Sequence, residues 1–212
     1  MKKTTPMQIA EDIASRIGKG LLHPGEHLVE TVLANEYNTS RAPVREALLM
    51  LERDRLVQRI PHHGFVVKRF TRKQIHELYD VLYRLEEIAI IKAIRSRTDE
   101  DLETLEQLLA NQRAAVEAKD VPAYYELNEE FHNLIFSIAG NETLSDLYLS
   151  LHRPAKPFRL LSLAQSDNLN RSFSEHAMQV EAIRSRDEEA ALSAIREQEI
   201  RALRSLDLLF PE

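Results

Sequence analysis

The chain contains no cysteine among its 212 residues, and this absence excludes several kinds of chemistry at once. Without thiols there is no disulfide, no thiolate zinc site and no cysteine nucleophile. No window approaches the ~18 consecutive apolar residues that a membrane-spanning helix needs. The N-terminus also lacks the apolar core and the small-residue cleavage site of a signal peptide. The sequence therefore predicts a cytoplasmic protein without membrane contact, in which any metal ligand is histidine, carboxylate or amide.

The composition is that of an ordinary globular protein, with 43% hydrophobic and 29% charged residues, and its charge is unevenly distributed. Residues 1–72 hold 12 Lys and Arg against 8 Asp and Glu, whereas residues 73–212 hold 16 against 26. A basic N-terminal third within an acidic chain indicates that one end meets a polyanion. The alternative is ordinary fluctuation of charge along a chain. The length favours two domains, which we place at residues 1–70 and 71–212.

Three helices are predicted in the first domain. An apolar residue every four positions, from Ile9 to Leu21, predicts a helix over residues 6–22. A short second helix over 30–37 ends at Asn38, a residue type that tolerates the left-handed conformation. Ser40 is suited to cap a third helix over 41–53, with Pro43 in its first turn.

A β-hairpin follows the third helix. The β-rich runs LVQRI and FVVKRF are joined by PHHG, a turn that contains glycine. Three helices and a hairpin within about 70 residues are typical of a winged helix-turn-helix. The sequence therefore predicts a DNA-binding domain at the basic end of the chain.

The second domain is predicted to be all helical, so that the protein is mainly α. Helix-type periodicity and helix-start residues predict a bundle of six or seven helices. Pro154 and Pro157 are expected to kink or interrupt the fourth of them. The ranges are 71–95, 98–118, 121–139, 142–164, 170–185 and 187–209.

The candidate DNA contacts lie at the start of the third helix and at the hairpin tip. Arg41 and Arg45 are one turn apart on the face opposite the apolar stripe, where a guanidinium can pair bidentately with guanine. Ser40 and the helix N-terminus are suited to a phosphate. His63 and Gly64 form the wing, where glycine lets the backbone approach the nucleic acid. The alternative for each residue alone is a solvated surface group.

The stretch HPGEHLVETVLANEYNTSRAPVREALLMLERDRLVQRIPHHGFVV resembles the DNA-binding domain of the GntR family of bacterial transcription regulators. The segments ELYDVLYRLEEIAI, NEEFHNLIFSIAGN and SEHAMQVEAI are similar to the FCD effector domain of the FadR subfamily. The resemblance covers nearly the whole chain. It implies double-stranded DNA as a partner, contacted by Ser40, Arg41, Arg45, His63 and Gly64, and a small-molecule metabolite as an effector.

The FCD resemblance implies a ligand or metal site made from an Asp and three His. This chain has Asn128, His132, His176 and Gln198 at those positions. Because neutral amides hold Zn²⁺ or Ni²⁺ poorly, His132 and His176 make only an incomplete metal site. The four residues remain suited to hydrogen-bonding a polar metabolite. The alternatives are interhelical hydrogen bonds without a ligand, or a weakly held divalent metal.

The resemblance further implies an Arg on the first bundle helix that faces the carboxylate of the ligand, but Leu82 stands at that position. Arg153 and Arg159, beside the two prolines, are the remaining candidates for a cationic anchor. Either is equally explained as a surface charge.

The whole pattern favours a homodimeric transcription regulator on a pseudo-palindromic operator. The candidate interface is an apolar stripe on the first bundle helix, although this stripe could also face the bundle core. Two other hypotheses are a dimer that binds DNA without any effector and a metal-dependent hydrolase. The hydrolase is disfavoured because metal catalysis needs three firm ligands and an open position. The stripe consists of Leu78, Val81, Leu85 and Ile88.

Overall fold

The computed structural model describes residues 5–18, 20–61, 63–165 and 167–209. Within these ranges the chain forms nine helices and one three-stranded sheet. It divides into two compact units, Met1–Thr71 with Arg153–Phe158 and Arg72–His152 with Arg159–Glu212. None of the helices in the described ranges is both long enough and apolar enough to cross a membrane. The mainly α fold, with a winged helix-turn-helix followed by six bundle helices, is confirmed.

The first unit begins with three helices, α1 (Pro6–Gly18), α2 (Glu30–Glu36) and α3 (Arg41–Arg53). Helix α3 has the predicted bounds, and Asn38 adopts the left-handed conformation expected after α2, with φ +49°. Helix α1 is shorter than predicted. Its end is closed by a hydrogen bond from the Leu21 N–H to the Arg16 carbonyl at 2.8 Å, and Gly20 turns the chain with φ +70°.

The sheet has the order β1–β3–β2 and is antiparallel throughout. Strands β2 (Val57–Ile60) and β3 (Gly64–Val67) form the predicted hairpin, while β1 (His27–Leu28) was not predicted. In the register, His27 is opposite Val66 and Val57 is opposite Val67. The buried side chains of helices and strands form one apolar core, which holds α3 in place.

The second unit contains six helices. Their N-termini are fixed by local hydrogen bonds that the sequence encodes: Thr98 and Asp101 form a capping box, and Asp120 and Asn141 each accept a bond from a backbone N–H three residues later. These caps explain why the predicted helix starts agree closely with the structure. The helices are α4 (Arg72–Ser96), α5 (Asp99–Glu117), α6 (Val121–Ile138), α7 (Glu142–Leu163), α8 (Asn168–Ser185) and α9 (Glu188–Leu209).

Helix α7 continues through Pro154 and Pro157. The prolines therefore do not interrupt the helix, while the alternative that they kink it stays a prediction. Each proline removes one N–H donor from the helix. However, Ala155 and Phe158 beside them are buried, and in proteins tertiary packing contributes most of the stability of a helix.

Candidate functional site

The exposed face of α3 carries both arginines that the sequence assigns to DNA. The side chains of Arg41 and Arg45 are 65% and 53% exposed. Glu30 at the start of α2 pairs with both of them. Its Oε2 accepts a hydrogen bond from Arg41 Nη2 at 3.1 Å, and its Oε1 lies 3.9 Å from Arg45 Nε. The two guanidinium groups thus share one surface and one carboxylate, which the sequence pattern did not single out.

Ser40 is the N-cap residue of α3, but its side chain makes no capping hydrogen bond. The predicted capping hydrogen bond is therefore wrong, although Ser40 does lie at the predicted helix boundary. A capping serine commonly accepts a bond from the third helical N–H. Here that residue is Pro43, which has no N–H. The exposed hydroxyl of Ser40 is consequently not used by the helix.

The turn between β2 and β3 presents His63 and Gly64 at the surface. Gly64 has φ +76°, and an added Cβ would meet no atom of the described residues within 4 Å. The backbone conformation, and not a neighbouring side chain, is what requires glycine there. The His63 N–H donates to the Ile60 carbonyl at 3.0 Å. The wing tip is therefore ordered by its own backbone and open to a partner.

Two buried histidines form the centre of the second candidate site. The rings of His132 on α6 and His176 on α8 are nearly perpendicular, with centroids 5.2 Å apart. Burial lowers the pKa of both imidazoles well below the usual value, and the Arg159 guanidinium lowers the pKa of His132 further. Both rings are therefore neutral near pH 7, each with one N–H and one lone pair.

An oxygen atom lies beside Nδ1 of each ring. Gln112 Nε2 donates to the Leu127 carbonyl at 3.1 Å, so Gln112 Oε1 accepts from His176 Nδ1 at 2.9 Å. Glu86 Oε1 lies 3.6 Å from His132 Nδ1. Both Nε2 atoms are left as acceptors. His176 Nε2 has no hydrogen-bond partner in the part of the chain that the structure describes.

Gln198 on α9 and Asn128 on α6 complete the predicted set. Gln198 Oε1 accepts from Gln179 Nε2 at 2.8 Å, so Gln198 Nε2 faces His132 Nε2 at 3.4 Å. Asn128 is buried, and its Nδ2 has no partner within the described residues. The structure thus brings His132 into contact with His176 and Gln198, and Asn128 lines a small cavity together with Gln198.

The two candidate anchors differ in their surroundings. Arg159 on α7 is buried, where Nη2 donates to Glu86 Oε1 at 2.9 Å and Nη1 donates to the Tyr148 hydroxyl at 3.4 Å. Arg153 has a side chain that is 51% exposed and pairs with Asp54 at 2.7 Å in the first unit. The assignment of Arg153 as an anchor for the effector stays a prediction.

The donor set does not fit a firmly held Zn²⁺ or Ni²⁺. In the described ranges no three His, Cys, Asp or Glu side chains are grouped so as to bind a metal. The lone pair of His132 Nε2 faces the N–H group of Gln198, which is a donor and not a ligand. His132 and His176 therefore remain two neutral acceptors within a network of amides.

One small space lies at the cluster, and a larger one lies on the surface of the bundle. An inner cavity of about 10 Å³ is lined by Asn128, Arg159, Gln198 and Arg201 together with tyrosines of α4, and it has room for about one water molecule. A surface groove of about 500 Å³ lies between α8 and α9. The polar cluster thus has little free volume of its own. The groove has the size of a small metabolite, and Arg201 is the residue that lines both spaces.

Two family models match the chain, the gntR family of bacterial regulatory proteins over residues 5–67 and the FCD domain over residues 77–198. The chain belongs to the gntR family and carries an FCD domain. It is a DNA-binding transcription regulator whose C-terminal domain binds an effector.

Several relatives of this gntR-family regulator are named as regulators of transcription. An uncharacterised HTH-type transcriptional regulator, YdhC of Bacillus subtilis, is 29% identical over 90% of this chain and 87% of its own length. The gluconate operon transcriptional repressor of Bacillus licheniformis is 27% identical over 92% and 82%. The solved structure of Escherichia coli McbR/YncC has a TM-score of 0.77 and 26% identity, covering 95% of this chain and 97% of that one.

Several buried polar residues of this gntR-family regulator were not identified from the sequence, although each interrupts an apolar stripe. Glu86 falls on the apolar stripe of α4, in helical register with the buried Tyr79, Tyr83 and Ile90. Polar residues on the buried stripes of α5, α8 and α9 have the same signature. A polar residue that interrupts an apolar stripe therefore marks the network. The residues recognised only in the structure are Glu86, Gln112, Glu175, Gln179 and Arg201.

Proposed function

We propose that this regulator binds a small polar metabolite at the buried cluster of Asn128, His132, Arg159, His176 and Gln198, and that its occupancy changes operator affinity. The observation that carries the proposal is that two buried atoms of this cluster, Asn128 Nδ2 and His176 Nε2, have no hydrogen-bond partner among the described residues. A buried polar atom without a partner costs about 1–3 kcal/mol. A ligand that supplies both partners offsets this cost, which favours the liganded state.

The unpartnered atoms specify the chemistry of this ligand. His176 Nε2 needs a donor such as a hydroxyl group, and Asn128 Nδ2 needs an acceptor. Binding is expected to show little dependence on divalent metal, because amides stand where a cation would need anionic or imidazole ligands. Since the inner cavity has room for about one water molecule, the helices around it move apart when the metabolite binds.

Residues 1–70 are proposed to read the operator, with residues 71–212 acting as the sensor. Arg41 and Arg45 supply the base contacts, while Ser40, His63 and Gly64 contact the backbone or the minor groove. The support is their shared exposure: both guanidinium groups and the wing tip lie at the surface. We propose no catalytic role, because the named relatives are regulators and the cluster lacks three firm metal ligands.

The regulator is proposed to act as a homodimer on a pseudo-palindromic operator. The apolar stripe of Leu78, Val81, Leu85 and Ile88 supports this, because Val81 and Ile88 are 45% and 46% exposed. The stripe thus does not pack into the core of its own unit. Covering it with a second copy removes apolar surface from water. Light scattering at operator-binding concentrations should give twice 24.5 kDa, and a monomer would contradict the proposal.

The effector proposal is tested by first selecting the operator from the fragmented genome and then adding metabolites processed by the neighbouring gene products. Operator binding is followed by fluorescence anisotropy, with and without a chelator. His132→Ala and His176→Ala should remove the response and leave DNA binding without metabolite nearly intact. Asn133→Ala, an exposed position on the same helix, is the matched control. An unchanged response in both histidine variants would instead leave the bundle as a dimerisation scaffold or place the effector elsewhere.

A further inference from the structure

Arg201 on α9 is a largely buried arginine whose side chain is paired through Nε alone within the described residues. The residue is only 9% exposed. Its Nε donates to both carboxylate oxygens of Glu175, at 2.7 and 2.9 Å. Within the described residues Nη1 and Nη2 make no hydrogen bond. Neither nitrogen is among the fully buried atoms without a partner, and Arg201 lines the open groove between α8 and α9. Two unused donors on a largely desolvated cation are suited to a further anion.

Arg201 borders both the inner cavity and the surface groove. Among the residues assigned to them, Arg201 alone lines both the inner cavity and the groove between α8 and α9. The groove, at about 500 Å³, falls in the range of small-molecule pockets. A ligand in the groove would therefore meet the same guanidinium that borders Asn128 and Gln198.

The lining of the groove indicates the class of ligand. Its cationic side chains are Arg171, Arg201 and Arg204, against the carboxylates of Glu175 and Glu197. Of these carboxylates, Glu175 already accepts hydrogen bonds from Arg201 Nε, and Glu197 lies at the exposed rim of the groove. The remaining surface includes apolar side chains on both helices. These side chains are Met178, Ile200 and Leu208.

We propose that the groove between α8 and α9 binds a small organic anion, a carboxylate or a phosphate ester with an apolar portion, through Nη1 and Nη2 of Arg201. The two terminal nitrogens form a planar fork that matches the oxygens of either group. The anion is the charged end of the effector, and this identification with the effector rests on the proposed function. Binding of the anion itself does not depend on it.

Isothermal titration of the full chain with butyrate, benzoate and inorganic phosphate tests the site, and butyramide and benzamide serve as neutral analogues. The carboxylates should bind and the amides should not. Inorganic phosphate tests whether an anion binds without an apolar portion. Arg201→Lys keeps a positive charge for Glu175 but loses the fork, and should weaken carboxylate binding by about tenfold or more. Arg196→Lys, at an exposed position of α9 outside the groove, should bind as the wild type does.

If Arg201→Lys does not fold, the double variant Arg201→Gln with Glu175→Gln removes both buried charges together and should also lose binding. Equal losses in the Arg201 and Arg196 variants would overturn the proposal. So would equal binding of amides and carboxylates, or no binding of any anion by the wild type. Carboxylate binding through Arg201 without any change in operator affinity would support the anion site and contradict the proposed regulatory function.

Discussion

The two units of this protein place their polar side chains in opposite ways. The core of the first unit is entirely apolar, and the side chains assigned to DNA lie on its surface. In the second unit the core itself is polar: every buried polar or charged side chain among the described residues lies there, including Glu86, His132, Arg159, His176 and Arg201. Reading a nucleic acid needs exposed charges on a rigid support. Sensing a small molecule needs groups that are shielded from water.

The largest expected effect concerns the buried ion pair. Glu86→Ala should lower the free energy of unfolding by about 3–5 kcal/mol, because Arg159 is left charged and unpaired in the core. Glu30→Ala, which removes a carboxylate from the exposed arginines of the first unit, should cost less than about 1 kcal/mol. Urea denaturation measures both.

The control replaces the buried pair by apolar residues of similar size, Glu86→Leu with Arg159→Met, and should recover most of the loss. Equal losses of unfolding free energy for Glu86→Ala and Glu30→Ala would contradict the difference between a buried and an exposed ion pair.

The next effect concerns DNA recognition alone. Arg41→Ala and Arg45→Ala should each lower discrimination between operator and random DNA by about 1–3 kcal/mol, the value of one bidentate base contact. Because both side chains are exposed, the free energy of unfolding should change by less than about 0.5 kcal/mol. Anisotropy titrations with the two DNAs measure the ratio, and wild-type discrimination in both variants would show that neither arginine reads bases.

The buried histidines make the stability of the second unit depend on pH. Their pKa values are lowered in the folded state, so below the unfolded value of about 6.5 the unfolded chain binds more protons. Stability is therefore complete above about pH 6.5 and declines as the pH falls, by up to about 1.4 kcal/mol per pH unit for each histidine.

Unfolding measured between about pH 5.5 and 7.5 tests this dependence on the histidine pKa of about 6.5. His176→Gln should show a shallower decline than the wild-type protein. Parallel curves would mean that His176 is protonated equally in both states.

The smallest expected effect refines the description of the first unit. Glu30→Gln removes the negative charge that Arg41 and Arg45 share. Binding to random DNA should tighten and its salt dependence should become steeper, since less opposing charge stands beside the phosphates. Discrimination should fall by less than about 1 kcal/mol, the usual range of an exposed ion pair. Salt titrations on both DNAs, with Glu46→Gln on the exposed face of α3 as control, provide the measurement.

Local chemistry made much of the fold predictable. The bounds of α3 followed from Ser40, Pro43 and the apolar spacing, and the capping residues of α5 to α7 fixed their starts. Strand β1 was missed because two residues carry no periodicity. The end of α1 depended on Gly20, whose backbone conformation a count of apolar residues does not report.

The polar cluster was only partly predictable. A spacing of four placed Asn128 and His132 on one helix face, but the sequence could not show which groups meet across helices. Arg153 and Arg159 looked equivalent, and only the packing shows that one is buried against Glu86 and the other pairs with Asp54. Partners between helices follow from three-dimensional packing, and sequence periodicity gives only the face.

The central position of β3 also constrains how the first unit is made. Strand β1 pairs with β3, so His27 meets Val66 only after the intervening chain has been synthesised. Such long-range pairing must wait for its loop to close, which slows folding. While the ribosome is still adding residues before Gly64, Leu28 has no strand partner and the core lacks Phe65 and Val67. The sheet of the first unit is therefore completed only at its last strand, and a chain that stops earlier exposes apolar core residues to proteases.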